Sequence, residues 1–230
     1  MLGWIFLFFV LALILSYIYL RKVWFYRDPA REPEESGRVV VAPCDGKVVY
    51  LRKVKKGEVV SEKKGEKIKL EEITKSDFGG EESGWLIGIY MSPLDVHYNY
   101  APIEGRVEKI VYYPAKTNLP MVDLWEYLNL TYLRRAVNLF SNRFHLENER
   151  NTIYISRGEE IKVAAVEIAD KFVSKISCFV KEGDRLRLGQ KISFIDRGSQ
   201  VDLVIFKEDI NWRVKFGDQV YGGKTVLADY

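Results

Sequence analysis

Residues 2–20 carry no charged side chain and are dominated by Leu, Ile and Phe. At about 1.5 Å per residue this run makes roughly 28 Å of helix, enough to cross the hydrocarbon core of a bilayer. It ends in Arg21-Lys22, and Trp4, Tyr17, Tyr19 and Trp24 lie near its ends, where interfacial aromatics belong. A cleaved signal peptide is one competing reading, weakened by the missing basic residues ahead of the run and by the lack of a small-x-small cleavage site. A buried core helix is another. The sequence therefore predicts a transmembrane anchor over residues 1–22 in the cell membrane, and the Arg-Lys pair predicts that the rest of the chain lies on the cytoplasmic side.

Beyond the anchor, residues 23–37 contain Pro29 and Pro33 and read as a juxtamembrane linker, basic and aromatic where lipid headgroups would lie. From residue 38 to 230 the text is β, long enough for one substantial core without disulfides. Val39-Val40-Val41 and Lys47-Val48-Val49-Tyr50 bracket the turn Ala42-Pro43-Cys44-Asp45-Gly46, and the same shape recurs at Ala101-Pro102-Ile103-Glu104-Gly105. A second echo links Val54–Glu58 to Val180–Asp184. Two strand-turn units, each present twice, predict a mainly β fold with a pseudo-symmetric sandwich or barrel-sandwich core. Trp85–Tyr90, Thr152–Ile155, Ile161–Ile168 and Phe172–Val180 read as further strands. Pro120–Phe140, with Leu124, Leu128, Tyr132, Ala136 and Phe140 four apart, reads as one inserted amphipathic helix, covering the sheet or lying on the membrane.

Composition excludes several classes of chemistry. A net charge of +3, with Lys and Glu intermixed over residues 53–72, is a solvated surface and not a nucleic-acid stripe. Two cysteines and two histidines leave no metal-ligand cluster, so no metal is expected. Cys178 sits in an apolar run and is expected to be buried; His145 is expected on the surface. His97 is the only strongly placed imidazole.

Arg197-Gly198-Ser199-Gln200 enters the alternating run Val201–Ile205. Together with Ile176–Asp184 upstream, with Phe25-Tyr26-Arg27-Asp28-Pro29-Ala30-Arg31, with Asp95-Val96-His97, and with Glu147–Asn151, this stretch resembles the short form of the phosphatidylserine decarboxylase family, which includes archaetidylserine decarboxylase-like members. The resemblance runs in blocks from about Phe25 to Phe206. It implies self-cleavage between Gly198 and Ser199 into chains 1–198 and 199–230, held together as a heterodimer and open to homo-oligomerisation. It also implies a pyruvoyl cofactor generated from Ser199 and a membrane phospholipid substrate. His97 is then the base, with Asp45 or Asp95 as its orienting carboxylate. Glu149, Arg150 and Asn151 are the implied substrate-binding residues, Arg150 by a bidentate fork on phosphate or carboxylate. Tyr100 stands where longer members have a second histidine, and Asp170 where the family usually has glycine. Two other readings stay open: a Ser-His-Asp hydrolase, although Ser199 lacks the Gly-x-Ser-x-Gly elbow, and a noncatalytic anchored barrel-sandwich adaptor.

Overall fold

The computed structural model describes residues 2–60, 67–80, 82–115, 117–140, 142, 144–171, 176–196 and 199–230. The apolar run forms α1 (Leu2–Tyr19), continued by a π-helical turn over Leu20–Trp24. Its side chains are exposed almost throughout, so no protein surface covers them.

Strands dominate the remainder. In order they are β1 (Val39–Val41), β2 (Gly46–Lys55), β3 (Glu58–Val60), β4 (Lys67–Lys69), β5 (Gly84–Met91), β6 (Tyr98–Tyr100), β7 (Gly105–Tyr113) and β8 (Arg150–Ser156). There follow β9 (Lys162–Ala169), β10 (Ile176–Cys178), β11 (Arg185–Leu186), β12 (Lys191–Ile195), β13 (Ser199–Ile205), β14 (Asn211–Trp212), β15 (Gln219–Val220) and β16 (Val226–Asp229). A large sheet runs in the order β11-β7-β8-β9-β13-β5-β2-β3-β4, with β15 added to β2. Two small sheets, β1-β16-β14 and β10-β12-β6, complete the strands. The fold is mainly β, as expected; among the described residues no sheet closes on itself, so the core is one open sheet with apolar matter on both faces and not a closed barrel.

Strand alternation explains the two-sided burial. Val201, Leu203 and Ile205 of β13 share one core with Ile87, Ile89, Ile153 and Val163, closed over by Ile192, Ile195 and Leu227 from the small sheets. Val204, Leu86, Tyr154 and Val166 face the other way, into a core with Leu70, Ile73, Leu139, Phe140 and Phe144. Each such side chain contributes roughly 1.5–3 kcal/mol by leaving water.

The repeated turns form matched pairs. Val41 N donates to Pro102 O at 2.8 Å and Tyr100 N to Pro43 O at 2.7 Å, so the two turns bond to each other reciprocally. Gly46 opens β2 and Gly105 opens β7; a Cβ at either would lie 2.2 Å from a facing carbonyl oxygen, of Tyr90 and Ser156 respectively. The second echo pairs differently from the expectation. Gly183 N donates to Val107 O and Gly217 N to Val48 O, which makes Val214–Asp218 the structural counterpart of Val180–Asp184. The Val54–Glu58 segment instead forms the β2–β3 turn.

Three further expectations are corrected. The helix predicted over Pro120–Phe140 is only α3 (Leu124–Thr131), after the one-turn α2 (Leu70–Thr74) and before the short α4 (Phe144–Glu147). Asp123 caps α3 by accepting from Glu126 N at 2.8 Å, and Arg134, at φ 52°, cannot continue a right-handed helix. Leu139 and Phe140 turn back into the second core. The strand expected over Phe172–Val180 is reduced to β10, residues 172–175 lying outside those described, and Cys178 is exposed on it. The His145 side chain also lies outside what the structure describes.

Residues 25–35 are not a free linker. Phe25 is 4% exposed, Arg27 Nη2 donates to Leu94 O at 2.6 Å, Arg31 pairs with Asp45, and Glu34 N bonds to Lys224 O. The segment straps the end of the N-terminal helix to the β domain.

Candidate active site

Ser199 begins the central strand β13, its backbone across from Met91 at the end of β5 and Ala169 at the end of β9. The loop that follows Met91 carries Asp95 and His97 to the same end of the sheet. Arg197 and Gly198 lie outside the described residues, as does the Ser199 side chain. The approach to them is described: Ile195 N donates to His97 O at 3.1 Å, which ties the segment entering Ser199 to the histidine loop.

His97 is fully buried. Its Nδ1 lies 3.0 Å from the main-chain carbonyl oxygen of Asp95. A carbonyl only accepts, so Nδ1 carries the proton and Nε2 the lone pair. Nε2 is buried and has no hydrogen-bond partner among the described residues. The Phe25 ring covers the imidazole, with centroids 4.1 Å apart. Burial pushes the His97 pKa down to about 4, against a smaller opposing effect of the Asp95 carbonyl. The ring is therefore a neutral base at physiological pH.

Neither expected carboxylate touches it. Asp95 Oδ2 accepts from Ser92 Oγ at 2.6 Å and Ser92 N at 2.9 Å, while its other oxygen lies 3.5 Å from Arg134. Asp45 accepts from Arg31 Nη2 and from Gly222 N, both at 2.8 Å, and more distantly from Val96 N at 3.4 Å. Burial raises its pKa, and the Arg31 charge and the Gly222 N–H oppose the rise. Asp45 thus braces the residue next to His97, and a main-chain carbonyl does the orienting. Its counterpart in the second turn, Glu104, is exposed, so the corner itself does not require a buried acid.

Glu149 is half-buried and accepts from Tyr112 Oη at 2.8 Å. Arg150 is fully buried, and its guanidinium donates to the carbonyls of Ile73, Phe144 and Asn148. In place of the expected anion fork, the guanidinium bonds the main chain of α2, of α4 and of the turn after α4. Asn151 is buried and leads to a group that sequence reasoning missed. Glu167, on β9 and 0% exposed, accepts from Asn151 Nδ2 at 2.9 Å, Asn99 Nδ2 at 3.2 Å and Ser193 Oγ. Burial raises its pKa to about 7, with the three hydrogen bonds opposing. Its register partner on β13 is Val201, two residues past Ser199. The signal was available: Val163, Ala165 and Glu167 share one face of a strand whose inward positions are otherwise apolar.

The buried lone pair of His97 and the buried, unpartnered Asn99 Oδ1 give this end of the sheet polar capacity that the described residues leave unused. That is compatible with a small carbonyl group at the start of β13.

The sequence model of the family described as Phosphatidylserine decarboxylase matches residues 19–228. The chain belongs to the phosphatidylserine decarboxylase family. A phosphatidylserine decarboxylase proenzyme of Magnetococcus marinus is 30% identical over 206 residues, covering 90% of this chain and 76% of that one. A Methanocaldococcus jannaschii protein, provisionally described as an archaetidylserine decarboxylase proenzyme, is 32% identical over 222 residues, 94% of this chain and 93% of the other. A phosphatidylserine decarboxylase proenzyme of Cupriavidus metallidurans is 30% identical over 219 residues, 95% and 82% of the two chains. Members are carboxy-lyases made as proenzymes. The family match begins at Tyr19, so it takes in the π-helical turn and the strap but little of α1.

Proposed function

We propose that this chain is a membrane-anchored proenzyme that cleaves itself between Gly198 and Ser199 and then decarboxylates the serine headgroup of phosphatidylserine or of archaetidylserine. The observation that supports the reading best is a buried, neutral imidazole with an unused Nε2 lone pair at the end of the sheet where Ser199 begins. His97 Nε2 takes the Ser199 hydroxyl proton as that oxygen attacks the Gly198 carbonyl, which converts the amide to an ester. The Asp95 carbonyl keeps the tautomer that leaves Nε2 free, and Asp45, neutralised by Arg31, holds the loop that carries the ring. Elimination then frees the chain ending at Gly198, and hydrolysis with loss of ammonia leaves a pyruvoyl group before Gln200. That group supplies the electron sink for decarboxylation that amino-acid side chains lack. Asn99, Asn151 and Glu167 line the polar patch next to it, and His97 returns a proton to the substrate carbon after CO2 has left. Arg150 and Glu149 hold the surrounding loops.

Cleavage does not separate the chains in this reading. β13 is bonded along seven residues to β5 and along seven to β9. The smaller chain therefore stays as the centre of the large sheet. α1 spans the bilayer, and Arg21-Lys22 sets the β domain on the cytoplasmic side. An inert adaptor leaves the neutral base without a use, and neither it nor a hydrolase accounts for the family membership. The test is the denatured intact mass of the freshly purified full chain. Two species are expected, one ending at Gly198 and one beginning with a pyruvoyl group, and Ser199→Ala should remain whole. A single uncut chain from wild type, with no CO2 released from phosphatidylserine, would sink the reading.

A further inference from the structure

The end of the anchor does more than tether. A cavity of about 460 Å³ lies where the last turns of the helix meet the β domain, lined by Tyr17, Arg21, Lys22, Phe25, Tyr26 and Asp196. A second cavity of about 180 Å³, largely apolar, continues round the helix past Leu20, Pro93 and Leu94, and shares Tyr17, Arg21 and Phe25 with the first. Trp24 Nε1 donates to Leu94 O at 3.3 Å, and Tyr26 stacks on Phe194 with centroids 5.6 Å apart, so the turn carrying these cations is fixed against the domain. Arg21 and Lys22 have no ion-pair partner among the described residues. Two cations with no ion pair among the described residues, Arg21 lying 5.9 Å over the Tyr17 ring, in the wall of a cavity at the level of the bilayer surface are a receptor for an oxyanion.

We infer that this cavity is the headgroup site, in which Arg21 and Lys22 bind the substrate's phosphodiester. The proposal rests on the decarboxylase reading and deepens it by naming positioning residues outside the β domain. The polarity of the cavity runs in the order the headgroup needs. Cations stand on the anchor, where the phosphate of a bilayer lipid lies. Asp196 stands three residues before Ser199, toward the cleavage segment, where the serine ammonium has to arrive. The lipid thus reaches the reactive end of β13 without leaving the bilayer, its phosphate held by the same helix that spans it. The apolar second cavity accommodates the glycerol end of a chain alongside Tyr17 and Leu20.

The experiment uses the full chain in nanodiscs of neutral phosphatidylcholine containing a small fraction of phosphatidylserine. Arg21→Gln with Lys22→Gln is compared with wild type and with the conservative Arg21→Lys, Lys22→Arg pair. The glutamine pair should still give two chains by intact mass. Its apparent KM should rise about tenfold or more with kcat within about twofold, as expected for the loss of charge-assisted bonds made equally in ground and transition states. The conservative pair should restore KM, and a serine amphiphile lacking a phosphodiester should show no penalty. A processed glutamine pair with unchanged KM overturns the headgroup site alone. So does a penalty that is equal for the amphiphile, or one that appears only in an anionic matrix, which would mean attraction to the bilayer at large. A wild-type chain that neither splits nor releases CO2 sinks the decarboxylase reading and the headgroup site with it.

Discussion

The charge state of His97 is set by its surroundings and not by a carboxylate. A histidine next to an ionised acid has its pKa raised; this one is sealed under Phe25 and held by a carbonyl, so desolvation dominates and its pKa falls to about 4. The ring is already the free base across the physiological range. Self-processing of newly synthesised chain should therefore be independent of pH from about 8 down to about 5 and decline with a midpoint near 4. The time course of chain cleavage on denaturing gels, started by translation in vitro and buffered at each pH, measures this. A midpoint near 6.5, the ordinary histidine value, would mean that the ring is solvated before cleavage and that the Phe25 cover forms only afterwards.

At the scale of elements, the strands were largely legible and their partners were not. The strand expected at Trp85–Tyr90 is β5, because an uninterrupted apolar run bounded by glycine has few other homes. The helix expected to reach Phe140 stops at Thr131, because Leu139 and Phe140 gain more from the second core than from continuing a half-exposed helix. Five-residue glycine turns repeat in sequence without saying which copy matches which; the equivalent main-chain bonds of Gly183 to Val107 and of Gly217 to Val48 decide it. The same limit hid Glu167, whose partners Asn99 and Ser193 come from a different sheet. Its chemistry makes a prediction for β9. The folded-state pKa of about 7 lies above the ordinary 4.5, so the native chain holds an extra proton between those values. That stabilisation is present below about 4.5 and is lost as pH rises through 7. His97 acts oppositely, costing stability as pH falls from 6.5 toward 4. Comparing Ser199→Ala with Ser199→Ala, Glu167→Gln removes the histidine contribution, which both share. The glutamine chain should gain relative stability between pH 5 and 8, on the order of a few kcal/mol, read as a growing difference in thermal midpoint. A difference independent of pH would show that Glu167 ionises as an ordinary carboxylate.

For the molecule as a whole, the proposed membrane-anchored reading asks which surface would meet the bilayer. α1 is apolar on all sides and uncovered, and α3 lies beside its end: Tyr127, Thr131 and Tyr132 of the α3 region line the smaller cavity together with Tyr17, Leu20 and Arg21 of the anchor. Trp125 is 68% exposed and Leu124 75%, and Tyr132 and Leu133 follow them on the surface. An isolated exposed apolar residue needs no explanation; a group of them next to a membrane span does. On the proposed membrane-anchored reading, such a group is expected in the interface, the aromatic rings at headgroup depth, as a second point of contact for the domain. On the proposed reading, two contacts would stop the domain from swinging freely about α1 and would keep the Ser199 end of the sheet facing the lipid. A nitroxide at Trp125→Cys tests this in full-length chain carrying Cys178→Ser, since Cys178 is exposed while Cys44 is buried. In nanodiscs the label should collide readily with dissolved oxygen and poorly with a water-soluble nickel chelate. Ready access to nickel would place α3 in water, and the exposed apolar group would then need a protein partner to cover it.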